Sequence, residues 1–385
     1  MKKPLESIIV KPVGAKCNLN CDYCFYLEKE NLYPSLSVMS HDTLEELIRQ
    51  MSNQTGNQYN ITWQGGEPSL AGIQFFRKLI DLQLHFGKTE RKIIGNSLQT
   101  NGTLLNDEWI SFLKKYNFLI GLSIDGTEEI HDKYRLNKNG KTSWKKVNEN
   151  AQKLMNAGVA VNILSCITKS NVNSAEKIYQ FYKSRGFQWL QFNPVFEKDR
   201  NNQILDFSVS AKELGGFMCK IFDLWYADFI RDGGSAPIVR FIENTFHAHI
   251  GHQVPECSFQ KTCGGYLVVE HNGDVYSCDF FVNKKNKLGN IHQNRLIDML
   301  NSKKQHTFGE LKAEIDNDCK KCPWLEMCYG GCPKYRNAKN LQYFCSAYKQ
   351  FFSYSNHRLS ELAKAWKKHN QTTQKMTFDA SGYFK

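Results

Sequence analysis

The sequence has no apolar run near the roughly 18 residues that a membrane-spanning helix needs. Its opening stretch, "MKKPLESIIVKP", has only "SIIV" as an apolar core, too short for a secretory leader. No internal repeat and no low-complexity segment is present, so solenoid and linker-like classes are excluded. A continuous basic stripe is also missing. The formal charge is +12, but the lysines are scattered, as in "NKNGKTSWKK" at 137–146. Nucleic acid is therefore discounted as a partner. These absences lead to an expectation of a cytoplasmic protein with no membrane segment. With 385 residues and 41% hydrophobic content, the chain can build one large and one small domain.

What the chain does have is cysteine, 13 in all. Disulfides are rare in the cytosol, so metal ligation or catalysis is the better reading of so many thiols. Their distribution agrees. Cys17, Cys21 and Cys24 open the chain in "CNLNCDYC", and eight more fall between Cys257 and Cys345. Cys166 and Cys219 stand alone and read as buried or idle thiols.

Between these two fields the pattern alternates. Apolar runs at 7–12, 60–63, 96–102, 118–126, 159–167 and 189–195 read as strands. Amphipathic stretches at 41–51, 75–86, 107–116, 144–158 and 174–186 read as helices, with Ser40 or Asp42 capping the first and Gly158 closing the fourth. Six such units predict a parallel sheet with right-handed crossovers, an α/β fold forming a partial (β/α)6 TIM-like barrel. Chemistry in such sheets lies beyond the carboxyl ends of the strands. The cysteine loop, "QGGEP", "QTNG" and "SIDG" all fall there. The expected domains are the barrel at 1–206, a helical linker at 207–250, a cysteine-rich domain at 251–350, and a C-terminal helix and tail at 351–385. The hairpin expected at 266–278 turns at Asn272-Gly273. The final helix reads as polar enough to lie on the surface.

The first cysteines are spaced C-x3-C-x2-C. Three thiolates leave one iron of a four-iron cubane without a protein ligand. A closed cluster carries electrons, whereas an open one binds a molecule. A partial zinc site is the alternative, disfavoured by the missing fourth ligand. Downstream, Cys319-x2-Cys322-x5-Cys328-x3-Cys332 is flanked by Cys257, Cys263, Cys278 and Cys345. Eight thiolates make two closed sets of four. Two structural zincs are the competing reading of this field judged alone.

The N-terminal motif, with Tyr23 before its third cysteine, resembles that of the radical S-adenosylmethionine (SAM) superfamily, and "GGEP" resembles that family's glycine-rich segment. The resemblance implies that Gly65 and Gly66 let the backbone approach the methionine amino group of SAM, with Glu67 nearby as an acceptor. It further implies that Ser123 contacts the ribose, Arg135 reaches the SAM carboxylate side, and Phe196 packs on the adenine. The second field resembles the SPASM domain, which carries two auxiliary clusters. By that resemblance Cys257, Cys263, Cys278 and Cys332 hold one, and Cys319, Cys322, Cys328 and Cys345 hold the other.

From "VKPVGAKCNLNCDYCFYLEKENLY" through "TWQGGEPSLAG" and "GDVYSCDFFV" to "CYGGCPKYR", the chain resembles the anaerobic sulfatase-maturating enzymes. That resemblance implies three [4Fe-4S] clusters, SAM as cofactor, and oxidation of a cysteine or serine in a sulfatase to Cα-formylglycine. The substrate is then a sulfatase polypeptide, and the electron donor a protein such as flavodoxin or ferredoxin. Asp279 matches the family's general base, and Gln64 is a candidate for positioning the substrate peptide. Many members place histidine after that aspartate; here it is Phe280. Two other readings stand beside this one. One is a radical SAM/SPASM maturase making thioether or epimerised residues in another peptide; such enzymes commonly carry an N-terminal recognition domain, and here 16 residues precede the first cysteine. The other is a non-enzymatic iron–sulfur or zinc protein.

Overall fold

The structure, a computed structural model, describes residues 2–33, 38–87 and 93–372. Six parallel strands form its centre: β1 (Ser7–Lys11), β2 (Gln58–Trp63), β3 (Ile93–Thr100), β4 (Leu119–Ser123), β5 (Ala160–Ile167) and β6 (Trp189–Pro194). Helices return the chain between them: α1 (His41–Gln54), α2 (Ile73–Gly87), α3 (Asp107–Lys115), the single turn α4 (Glu128–His131), α5 (Trp144–Asn156) and α6 (Ala175–Ser184). All six strands and five of these helices fall where the periodicity places them; α4, hidden in "TEEIH", was not anticipated. Ser40, not Asp42, caps α1, accepting the Thr43 amide at 3.1 Å. Gly158 follows α5 with φ +70°, a conformation glycine adopts without strain.

Residues 207–250 contribute α7 (Ala211–Arg231), the two-residue strand β7 (Ile238–Val239) beside β6, and α8 (Arg240–Ile250). Ser210 and Glu213 form a reciprocal capping box at the start of α7.

The hairpin β8 (Leu267–Glu270) and β9 (Asp274–Tyr276) is present, but it does not stand apart with the cysteine-rich segment. β8 pairs in parallel with β1, Lys11 opposite Glu270, so the sheet reads β10-β9-β8-β1-β2-β3-β4-β5-β6-β7, with β10 at Lys287–Asn290. All four residues of β8 are buried. Short helices follow: α9 (Leu296–Leu300), α10 (Lys303–Glu310), α11 (Asn317–Lys320) and α12 (Leu325–Cys328).

The last helix, α13 (Cys345–Thr372), lies on the surface as expected, but one face of it is buried. Phe351, Phe352, Leu359 and Ala363 are buried, and it packs along α7 and α8, with Phe351 edge-on to Phe241 at 5.0 Å. Mean polarity hid a stripe of apolar residues at helical spacing. The tail expected beyond residue 372 lies outside the described residues.

Candidate active site

The carboxyl ends of the strands surround a cavity of about 450 Å³. Cys17, Cys21 and Cys24 line it, as do Gln64, Gly65, Gly66, Ser123 and Arg135; from the second cysteine field, Cys257, Cys263, Cys278, Cys332 and Asp279 face the same space. Residues more than 200 positions apart thus share one chamber.

The glycine-rich turn after β2 lies directly against the cysteine loop. The Gly66 amide donates to the Gly14 carbonyl at 2.8 Å, and the Glu67 amide to the Lys16 carbonyl at 2.8 Å. A Cβ on Gly66 would lie 2.0 Å from the Lys16 oxygen. Gly65 has φ +137°, and its Cβ would meet the Gly14 oxygen at 2.7 Å. Contact between these two loops therefore already requires both glycines.

Glu67 does not line the cavity. It is fully buried, and its carboxylate accepts from the Ser69 amide (3.0 Å), the Ser69 hydroxyl (2.5 Å), the Thr100 hydroxyl (2.8 Å) and the Asn101 amide (2.7 Å). Burial raises its pKa and these donors oppose the rise. Its observed work is to tie the turn after β2 to the end of β3.

A buried polar knot forms the opposite wall. Asp125, just past β4, pairs with Arg135 (2.8 Å from Nε), accepts from the Tyr23 hydroxyl, and accepts the Cys166 amide at 2.8 Å. Burial alone would lower the Arg135 pKa; Asp125, with Tyr23, Cys166 and Cys21, outweighs it and holds the guanidinium well above its ordinary range. Arg135 also lies over the Tyr23 ring, 5.4 Å from its centroid. Asp125, absent from the sequence-based site, thus fixes Tyr23 and Arg135 together. Its place at the carboxyl end of a barrel strand was the available signal. Phe196, in contrast, does not line the cavity, although Val195 and Glu197 do. It is buried and stacks on Tyr343, centroids 3.9 Å apart.

Asp279 and Gln64 meet through a residue that sequence reasoning missed. Lys11, the last residue of β1, is fully buried and donates to both Asp279 and Gln64. The Gln64 amide also donates to Asp279 at 3.2 Å. The Lys11 ammonium lies over the Tyr26 ring at 4.3 Å, and the Tyr26 hydroxyl donates to buried Glu270. A lysine ending "SIIVK" reads as a surface residue; only the β1–β8 pairing encloses it. Asp279 is therefore a buried carboxylate held by a cation and an amide at the cavity wall. Phe280 packs edge-on against Phe25 at 5.0 Å, and Lys334 stands over its ring at 4.5 Å while pairing with Glu197.

A second cavity, of about 110 Å³, is lined by Cys319, Cys322, Cys328 and Cys345. The two groups of four expected from the sequence thus occupy different walls. Burial pushes Cys17 and Cys328 up to about 11 and Cys21, Cys257, Cys263 and Cys332 up to about 12. A bound metal's positive charge would favour the thiolate form of such buried thiols. Among the described residues, no three His, Cys, Asp or Glu side chains converge on a single-ion position. The thiols instead line two cavities, Cys319, Cys322, Cys328 and Cys345 around the smaller, a donor set of the kind that holds iron–sulfur clusters.

Comparisons agree with this geometry. Residues 12–182 match the family model described as the Radical SAM superfamily, and residues 257–323 match the SPASM iron–sulfur cluster-binding domain. The chain is 39% identical over 377 residues to the serine-type anaerobic sulfatase-maturating enzyme of Bacteroides thetaiotaomicron, covering 91% of this chain and 89% of that one. It is 35% identical over 371 residues to a cysteine-type anaerobic sulfatase-maturating enzyme of Clostridium perfringens, covering 94% and 99%. The solved structure of native anSMEcpe with bound AdoMet and Cp18Cys peptide superposes with a TM-score of 0.87 at 34% identity, covering 94% of this chain and 100% of that one.

Proposed function

Because the chain belongs to the anaerobic sulfatase-maturating enzymes, radical SAM enzymes with a SPASM domain, we propose that it oxidises a cysteine or serine side chain of a sulfatase polypeptide to Cα-formylglycine, with Asp279 as the base. Cys17, Cys21 and Cys24 would hold one [4Fe-4S] cluster with an open iron. Cys257, Cys263, Cys278 and Cys332 would hold a second, and Cys319, Cys322, Cys328 and Cys345 a third. Bound together, the open cluster and SAM would supply radical chemistry able to remove a hydrogen from Cβ of the target.

The auxiliary cysteine sets would take up the second electron, and water would replace sulfur where the target is cysteine; the chain's own residues hold the substrate and move the proton. Asp279 takes the thiol or hydroxyl proton, while Lys11 and Gln64 fix the carboxylate toward the cavity. Gly65, Gly66, Ser123, Tyr23 and Arg135 line the same chamber and form the SAM side of it. Glu67 acts through the turn it braces, and Phe196 through its packing on Tyr343. The observation that carries this reading is the placement of Asp279, within its ion pair to Lys11, in the one chamber that the N-terminal cysteines also line. A flavodoxin or ferredoxin would supply electrons, in the cytoplasm.

Anaerobic reconstitution with iron and sulfide, followed by mass spectrometry of a sulfatase-derived peptide, tests the proposal. Loss of two hydrogens with replacement of sulfur by oxygen at the target cysteine is expected. SAM cleavage with an intact peptide would redirect the assignment to a different peptide. Asp279→Asn should still cleave SAM but lose peptide oxidation; equal peptide turnover would remove Asp279 as the base.

A further inference from the structure

Lys312 is fully buried, and no carboxylate lies within ion-pair distance of it among the described residues. Its ammonium donates to the Tyr329 carbonyl at 3.2 Å. Its backbone amide and that of Cys263 both donate to the Gly309 carbonyl, at 3.3 and 3.1 Å. Tyr329 directly follows Cys328, and Gly330 and Gly331 lead on to Cys332. Lys312 therefore stands where the walls of the two cavities meet. Burial and the nearby Arg336 disfavour its charge, while Cys263 and Cys332 of one set and Cys328 of the other favour it. Arg336, the other cation here, spends its guanidinium on the carbonyls of Tyr329, Gly330, Gly331 and Glu314. A buried ammonium held by one carbonyl needs a counter-charge, and a four-iron cluster on four thiolates supplies a negative one.

We propose that Lys312 is the shared counter-charge of the two auxiliary cysteine sets, and that its ammonium makes both easier to reduce. Adding an electron makes a cluster more negative, and a fixed cation nearby lowers the cost of that step. This rests on the reading that the eight thiols hold two iron–sulfur clusters.

The test is a redox titration of the reconstituted full-length protein, followed by electron paramagnetic resonance. Lys312→Met should lower the midpoints of both auxiliary clusters, at least one of them by a tenfold or greater change in its one-electron equilibrium, about 59 mV; a shift confined to one would overturn the shared role. Lys312→Arg should restore the wild-type value. Should the Met variant lose its iron, Lys312→Gln, neutral but able to donate to Tyr329, must show the same lowering. Unchanged midpoints in an iron-loaded neutral variant would overturn the role of Lys312 and leave the cluster reading standing. A wild-type chain without auxiliary iron would overturn both.

Discussion

Replacing Lys11 by methionine keeps most of the stem that lies over Tyr26 and removes only the charge. Asp279 would then keep the Gln64 amide alone, inside a wall where it is 8% exposed. Removing one partner of a buried ion pair typically costs about 3–5 kcal/mol, because the other charge stays behind unpaired. The loss should fall at the lower end, since Gln64 remains and the methionine packs. Lys11→Met/Asp279→Asn should be less destabilised than the sum of the single variants, by about 0.5–3 kcal/mol in a double-mutant cycle. Catalysis should show the same non-additivity. Neither residue belongs to the Tyr23–Asp125–Arg135 knot, so SAM cleavage should persist. Peptide oxidation should fall by about 10²–10⁴, the usual contribution of a positioned base, and the second substitution should add little. The assay is the ratio of 5′-deoxyadenosine released to peptide oxidised, with thermal melts of each variant. Strict additivity in both stability and oxidation would show that the pair does not act as a unit, and the assignment of Lys11 would fail.

Gly66→Ala would place a methyl 2.0 Å from the Lys16 oxygen, a backbone atom with little room to retreat. Overpacking of this kind costs about 1–3 kcal/mol, and iron bound by Cys17, Cys21 and Cys24 should fall with the melting temperature; wild-type values of both would refute the loop contact. Glu67→Gln leaves one carbonyl oxygen to satisfy donors that now share two, at about 1–3 kcal/mol for each one left unmade. Melting should drop, whereas a collapse of SAM affinity at unchanged melting would return Glu67 to the cofactor. His131 is buried, its Nδ1 accepting from the Asp125 amide (3.3 Å) and its Nε2 facing the Ser143 hydroxyl (3.0 Å). Burial lowers its pKa from 6.5 to about 3. Only the unfolded chain then takes up this proton as the pH falls from 6.5 towards 3, and stability drops by about 1.4 kcal/mol per pH unit across that window. His131→Gln should flatten the acid limb of a stability–pH profile; an unchanged limb would refute the argument.

Local pattern carried the barrel well. Period-two apolar runs separated by capped, amphipathic stretches place β1–β6 within a few residues, and the cysteine spacing marks the chamber before any coordinate does. Long-range pairing was harder to read. Nothing in "LVVE" says that it docks on β1, so the enclosure of Lys11 could not be seen, and with it the partner of Asp279. "GGEP" offered a glutamate beside two glycines, but its four donors come from Ser69, Thr100 and Asn101, across a strand boundary. Phe196 follows β6 as expected, yet the aromatic face it meets, Tyr343, belongs to a segment about 150 residues later. Mean polarity likewise concealed the buried stripe of α13.

The docking of β8 against β1 also has a consequence for synthesis. When the sixth strand has left the ribosome, one flank of β1 still lacks its neighbour, and roughly 70 further residues must emerge before Leu267–Glu270 can cover it. An uncovered edge is a template for pairing with another chain. Until then Lys11 also lacks the strand that encloses it. Nascent chains of this protein should therefore be most prone to self-association in that interval, and truncation before residue 267 should yield aggregates instead of a minimal barrel.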